Sequence, residues 1–427
     1  VSQKSHPSPA SDHPSEDHIP NARQAPVSAD ASAIEETKNS SFPMDVKQYI
    51  PPARPPKESD TVEYVQATRE DGPAINALYN KVFQMGRSLD HYEWKYWRNP
   101  AGPPTGMLAR DKQTGRCIAT GIGQRRRAWV NGKDSYGALL CESASDPDDR
   151  AGGHVWRKVM LGFGVSTNDD HGIVWAYGGQ SSDAAIKIGS RWFGYRIMME
   201  LVPWEIRLGT RSSLRRHLGI FDGILGTIVA PILDRLYRAR WRKRDFGLQT
   251  AEVTRFGPDY DELWERYRDL YPACFYRNAE TLNWRYIDNP LWKHRVIEAR
   301  RDGQIVGYMV WREWNDHGAM ISTVLDFWHG KDQEVMQTLI DAARRKALAG
   351  GSVFLRFALQ EGGPEHQAFQ SFRSGRKSPH ERVDKIICTP MPGSTPMDQP
   401  MEAYEQLGTV LFGKNWFYTQ GDCDYRD

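Results

Sequence analysis

The chain has 427 residues, 39% hydrophobic and 11% aromatic, enough for sizeable cores and for two to three domains. Its 56 basic and 54 acidic side chains leave a formal net charge of +2, which argues against a dedicated nucleic-acid binder. The five cysteines are Cys117, Cys141, Cys274, Cys388 and Cys423; odd in number and never spaced C-x-x-C, they disfavour a disulfide framework or zinc site and suit a reducing cytoplasm.

Residues 1 to about 58 are rich in Ser, Pro, Ala, Asp and His without hydrophobic periodicity, which predicts a disordered tail with no signal-peptide core. Val62 to Val65 then alternates as a strand, and Ile75, Leu78, Tyr79 and Val82 fall at helical spacing. The segment Glu93-Trp94-Lys95-Tyr96-Trp97-Arg98-Asn99-Pro100 reads as a helix stopped by Asn99-Pro100. Met107 to Arg110, Cys117 to Trp129 and Lys133 to Ser145 follow as strands of an antiparallel meander, with turns at Gln113-Thr114-Gly115 and Asn131-Gly132. A helix through His154 to Phe163, a buried strand Ile173 to Tyr177, a helix Ser181 to Ile188 and a long strand Tyr195 to Leu208 complete the run.

The next segment carries Leu218, Phe221, Leu225, Ile228, Ile232 and Leu236 on one helical stripe, with Arg215 and Arg216 before it and Arg235 to Arg244 after it. Residues 211–247 therefore read as a basic amphipathic linker helix. It suits either packing between domains or an anionic membrane surface, while Asp222, Pro231 and Asp234 argue against a spanning helix.

The first word is then echoed as Asn283-Trp284-Arg285-Tyr286-Ile287-Asp288-Asn289-Pro290, again followed by strand, turn and strand. The elements of 248–392 repeat the order of 59–210, a period far too long for a solenoid unit, so the chain holds two copies of one domain. Residues 393–427 are left as a C-terminal tail, and the repeated word is expected to mark the fold rather than the chemistry.

This element order, with a Gly-containing turn between a central strand and a helix, resembles the GNAT acyltransferase superfamily over residues 61 to 208 and 248 to 390. With the repeated words and the ending Trp416-Phe417-Tyr418-Thr419-Gln420-Gly421-Asp422, the doubled form looks like tandem GNAT-type proteins associated with bacterial polysaccharide biosynthesis. The resemblance implies an α/β fold, an α+β mixed sheet built as two tandem acyl-CoA N-acyltransferase domains. It also implies a CoA site of pattern Q/R-x-x-G-x-G/A, where backbone N–H groups and a helix N-terminus meet a pyrophosphate. Arg150-Ala151-Gly152-Gly153-His154-Val155 matches at Arg150 and Gly153, with Val155 standing where Gly or Ala is expected. The implied cofactor contacts are Ser145, Arg150, Gly152, Gly153, His154, Gln180 and Ser181. Acetyl-CoA or another acyl-CoA is the implied co-substrate, with no metal.

Acyl transfer needs a deprotonated nucleophile, a polarised thioester carbonyl and a protonated leaving thiolate. The resemblance places the acyl group beside Leu139 to Ser145. Glu142 is the general-base candidate there, the alternative being a solvent-facing or arginine-paired carboxylate. Alternation puts Cys141 on the opposite sheet face from Glu142. Tyr195 is the candidate acid for the leaving group, the alternative being core packing.

In the second copy Asp332 and Glu334 stand at the corresponding turn and would repel a pyrophosphate, so this copy reads as a scaffold. Its tryptophans read as core residues or sugar platforms, and the D-x-D of Asp422 and Asp424 as an acidic tail or a metal ligand pair. The expected activity is acyl-CoA-dependent N- or O-acyl transfer, acetyl transfer first among them, to a small-molecule or saccharide acceptor such as an envelope precursor. It would take place in the cytoplasm, with peripheral membrane contact through 211–244 and no nucleic-acid partner. Two alternatives stand beside it: an aminoacyl-tRNA-dependent transferase of the peptidoglycan-bridge type, and a non-catalytic membrane-peripheral polysaccharide assembly factor.

Overall fold

The structure, a computed structural model, describes residues 57, 59–149, 152–166, 172–179, 183–209, 232, 235, 245–316, 318–372, 375–379, 381–391 and 401–423. The N-terminal tail, nearly all of the linker, and Arg150, Gln180, Ser181 and Asp424 lie outside the described residues.

The first run comprises β1 (Val62–Gln66), α1 (Gly72–Phe83), α2 (Leu89–Tyr96), β2 (Thr105–Asp111), β3 (Cys117–Val130) and β4 (Lys133–Ser145). It continues through α3 (Gly152–Ser166), β5 (Ile173–Gly178), α4 (Asp183–Phe193) and β6 (Arg196–Arg207). The second run begins with β7 (Gln249–Val253), a helix Asp259–Tyr267 and β8 (Ala273–Phe275). A short helix Ala279–Leu282 then passes into a π-helical turn Asn283–Ile287, followed by β9 (His294–Arg301), β10 (Gln304–Asp316) and β11 (Ala319–Trp328). A helix Gln333–Ala349, β12 (Phe354–Gln360), a helix Pro364–Gln370, β13 (Gly375–Lys377) and β14 (Asp384–Pro390) complete it. A helix Met401–Val410 and β15 (Trp416–Phe417) follow.

The hairpins form where the turn chemistry demands them. Asn131 (φ 49°) and Gly132 (φ 76°) between β3 and β4, and Asp302 (φ 52°) and Gly303 (φ 83°) between β9 and β10, adopt the left-handed backbone that suits two-residue turns. Residues without tolerance for positive φ would force a longer loop at both places.

Both runs of strands join one continuous sheet, in the order β1-β2-β3-β4-β5-β14-β6-β12-β11-β10-β9-β7. Read from one end, the path meets β1 to β5 and then β14 of the second run; read from the other, it meets β7, β9, β10, β11 and β12 and then β6 of the first run. β14 lies antiparallel against β5, with Cys388 opposite Tyr177, while β6 lies antiparallel against β12, with Ile206 opposite Leu355. The strands β6 and β14 are exchanged, so neither run closes on its own last strand. At the centre Trp94 of α2 and Trp284 of the π turn stack with ring centroids 5.4 Å apart.

Helices cover the two faces. Leu108, Cys117 and Ile122 pack with Tyr92 and Tyr96 under α1 and α2, whereas Met107, Ala109 and Ala119 pack with Val155 and Val159 of α3 on the other face. Gly123 permits this approach, because a Cβ there would fall 2.8 Å from the Phe163 ring. The C-terminal residues are no tail. β15 pairs parallel with β8, which itself pairs with β3, and Trp416, Phe417, Thr419 and Asp422 are all buried. Among the described residues no helix is long and apolar enough to cross a membrane.

Candidate active site

A β-bulge shapes the end of β4. Ile122 pairs with Glu142 but Gly123 pairs with Leu140, so Cys141 is the extra residue. Such a residue bends its strand and increases its twist. Pairing between β4 and β5 ends at Leu139 and Tyr177, and beyond it Leu140 to Ser145 keep β3 on one edge with no strand on the other among the described residues. The result is a parting between two parallel strands, with an edge of β4 that pairs with no strand among the described residues.

The bulge corrects the expectation for Cys141. Simple alternation separates it from Glu142, but the extra residue turns Cys141 toward the Tyr96 and Ile122 cluster, on the face that also holds Glu142. Glu142 is 1% exposed. Its Oε1 accepts from the Tyr96 hydroxyl at 2.7 Å and is ion-paired with Arg87. Glu142 is therefore an arginine-paired carboxylate, and its Oε2 is buried without a hydrogen-bond partner.

Arg87 is itself fixed. Its Nε donates to Asn76 at 2.6 Å and its guanidinium lies 3.9 Å from the Tyr79 ring centre. Burial alone would favour loss of its proton, but the Glu142 carboxylate raises its pKa and keeps it charged.

On the opposite face of the sheet a narrow apolar pocket opens at the foot of the parting, where Leu140, Met160, Phe163, Phe193, Tyr195 and Met391 meet. Tyr195 reaches it by lying over Gly189, where a Cβ would fall 1.9 Å from its ring. Burial pushes the Tyr195 phenol pKa up. Glu142 and Tyr195 thus flank one parting from its two faces, and no hydrogen bond joins them among the described residues.

At the mouth of the parting, Ser145 ends β4 opposite Ala119, and α3 begins at Gly152 and Gly153. His154 is exposed, while Val155 is 3% exposed and packs against the sheet with Val159 and Ala119. The β-branched side chain is accordingly turned into the core. Asp146, between Ser145 and the helix, is buried; burial opposes its charge, but Lys81 at 2.6 Å, the Asp148 N–H and Arg116 at 3.3 Å hold its carboxyl below the usual range.

The second run repeats this architecture in a filled form. β11 bulges at Leu325, since Val310 pairs with Asp326 and Trp311 with Val324, and its pairing with β12 ends at Thr323 and Arg356. Asp326 stands in the place of Glu142. Arg277 donates to it at 3.1 Å, Thr419 Oγ1 at 2.9 Å and the Tyr308 hydroxyl at 2.9 Å. Arg277 also donates to Asp422 at 2.6 Å. Burial raises the Asp326 pKa, with Arg277 opposing.

Gly421 lies so close to β11 that a Cβ would fall 3.0 Å from the Leu325 carbonyl and 2.0 Å from the Tyr286 hydroxyl. The chain's own C-terminal segment occupies this second parting. Asp332 moreover caps the helix that follows, accepting from the N–H groups of Glu334 at 2.9 Å and Val335 at 3.2 Å, which removes the donors an anion would need. Asp422 of the D-x-D is spent on Arg277, and no cluster of three potential metal ligands stands among the described residues.

Arg87, Tyr96, Arg277 and Asp326 escape a reading centred on the Trp-Tyr and Asn-Pro words. The offset between the words extends further back, through Ser88 and Asn278, which cap their helices alike by accepting from His91 and Thr281, to Arg87 and Arg277. The first copy of the word also contacts the candidate base, since its Tyr96 bonds Glu142.

The chain shares its fold with solved structures of acyltransferases. Two solved structures that share it are a GCN5-related N-acetyltransferase from Anabaena variabilis and a probable N-acyltransferase from Enterococcus faecalis. The first has a TM-score of 0.54, is 11% identical and covers 77% of this chain and 72% of its own. The second has a TM-score of 0.53, is 11% identical and covers 78% and 73% respectively. Saccharomyces cerevisiae N-myristoyltransferase, with bound myristoyl-CoA and inhibitors, follows at a TM-score of 0.51 with 12% identity, covering 81% and 84%. No protein-family model and no curated protein sequence matches the chain.

Proposed function

We propose that the protein is an acyl-CoA-dependent N- or O-acyltransferase with one working site, in the first half. The observation that carries this reading is the open edge of β4 from Leu140 to Ser145, leading to the glycine start of α3. A strand edge with no neighbouring strand among the described residues suits the amides of a pantetheine arm, and a helix N-terminus suits a pyrophosphate. In the second half the equivalent parting is covered by the chain's own residues 419–422, folded as a single 3-10 turn, which leaves the first parting as the open one.

In this reading the acceptor amine or hydroxyl attacks the thioester carbonyl and loses its proton to Glu142 Oε2, directly or through one water. Backbone N–H groups of the β4 edge polarise the carbonyl. The C–S bond then breaks, and Tyr195 is the proposed proton donor to the leaving thiolate. Arg87 and Tyr96 position Glu142. Gly152, Gly153 and the residues outside the described set, Arg150, Gln180 and Ser181, are the proposed cofactor contacts with Ser145 and His154.

The acceptor proposed from the sequence resemblance is a sugar or envelope precursor. A peripheral membrane contact through 211–244 belongs to the same reading, and liposome flotation unchanged by deleting that segment would remove it. The central test is calorimetric titration of acetyl-CoA into the protein and into an Arg150→Ala, Gly153→Trp variant. Saturable binding that the variant loses supports the function; no binding to the unaltered protein sinks it.

A further inference from the structure

The pocket beside Tyr195 has two wall residues that the first half does not supply. Thr389 and Met391 belong to β14 and the position after it, and they reach the pocket because β14 lies against β5. Thr389 sits opposite Ala176 and its hydroxyl donates to the Phe193 carbonyl at 2.8 Å; the Met391 N–H donates to the Val174 carbonyl at 3.1 Å. Leu140, Met160, Phe163, Phe193 and Tyr195 are among the other walls, and no charged side chain among the described residues lines the pocket.

Leu140 is the first β4 residue beyond the last pair with β5, so the pocket begins where the parting begins. Its free interior is about 20 Å3. That is room for roughly one water, and hence for a group of methyl or ethyl size. Apolar walls favour an apolar occupant, and nothing in the lining would stabilise a charge.

We infer that this pocket receives the apolar end of a short acyl group, acetyl or propionyl, and that Met391, carried by the second half of the chain, sets the length limit. The inference rests on the acyl-CoA function proposed above. It gives the second half a direct part in substrate choice, since the exchanged strand closes the acyl end of the first half's site. Met160 faces the same space from α3, and both thioether side chains can be shortened without introducing a branch.

The test is calorimetric titration of CoA, acetyl-CoA, propionyl-CoA, butyryl-CoA and hexanoyl-CoA into the full chain and into Met391→Ala and Met160→Ala variants whose folding is checked by circular dichroism. The unaltered protein should bind acetyl- or propionyl-CoA tighter than hexanoyl-CoA. Met391→Ala should shift the preference toward butyryl-CoA by about tenfold, since each newly buried methylene is worth about fourfold, while affinity for CoA itself stays the same. CoA binding with a chain-length profile unmoved in both variants would overturn the inference and leave the acyl-CoA function standing. Silence of every ligand, CoA included, on the unaltered protein would overturn that function and the inference with it.

Discussion

Trp94 and Trp284 exchange the same hydrogen bond in both directions: Trp94 Nε1 donates to the Trp284 carbonyl at 2.8 Å, and Trp284 Nε1 donates to the Trp94 carbonyl at 2.9 Å. Each indole fills its donor requirement on the backbone of the other repeat, at a point where both are buried. The pair sits on the approximate two-fold relation between the halves and fixes their register.

Trp94→Ala should therefore cost about 3–5 kcal/mol, the range for removing a large buried aromatic. Because each substitution also removes the ring on which the partner stacks and leaves the partner's carbonyl without its indole donor, the double variant Trp94→Ala, Trp284→Ala should cost less than the sum of the singles. Urea unfolding of the three variants measures this, and strict additivity would contradict a shared contact.

Arg87→Ala leaves Glu142 buried without its cation and should destabilise by about 3–5 kcal/mol. Replacing both partners with apolar residues, Arg87→Met with Glu142→Leu, should recover much of that loss. Thermal unfolding separates the two cases, and a double variant less stable than Arg87→Ala would reject the argument. Glu142→Gln, which keeps the shape, should lower acyl transfer by about 10²–10⁴-fold if Oε2 takes the proton.

His294 makes stability depend on pH. Its Nδ1–H donates to the Tyr286 carbonyl at 2.9 Å. Burial lowers its pKa to about 4, opposed by that carbonyl and reinforced by Arg312 and Arg285. The ordinary imidazole value is about 6.5, so between pH 6.5 and 4 the unfolded chain holds a proton that the folded one lacks. Stability should fall as pH drops through that window, by up to about 3 kcal/mol, and should be unaffected by this group above pH 7. Denaturant midpoints against pH for the protein and for His294→Gln measure it; equal slopes in both would exclude His294 as the cause.

Asp422→Ala removes one of two carboxylates held by Arg277 and frees the segment that covers the second parting. The expected loss is about 2–4 kcal/mol, since Asp326 still balances the arginine. Hydrogen exchange should show faster opening of residues 418–423. Protection unchanged there would mean that packing of Trp416 and Tyr418, rather than the ion pair, holds the segment.

Much of the strand pattern is legible in the sequence because alternation and turn residues report it directly. Lys133 to Ser145 is read to the residue, and the Asn131-Gly132 turn adopts the backbone its residues predict. Alternation is silent on which strand a strand will pair with, so the exchange of β6 and β14 leaves no trace in the order of elements. It is equally silent on bulges, which is why Cys141 is assigned to the wrong face. Glu142 is singled out as the carboxylate on the strand where the resemblance places the acyl group, yet the Arg87 that pairs with it comes 55 residues earlier, outside any motif. The C-terminal segment reads as a tail because it has no counterpart in the first copy. Its role is visible only once the second parting is seen to need an occupant.

The exchange of β6 and β14 also sets an order of events on the ribosome. β1 to β5 emerge early, but the strand that flanks β5, and with it Thr389 and Met391, is translated about 200 residues after β5 itself. Until then the free edge of β5 is an exposed template for wrong partners. A nascent chain of this protein thus carries a half-built sheet through much of its synthesis, and expression of residues 59–210 alone would make that transient edge permanent.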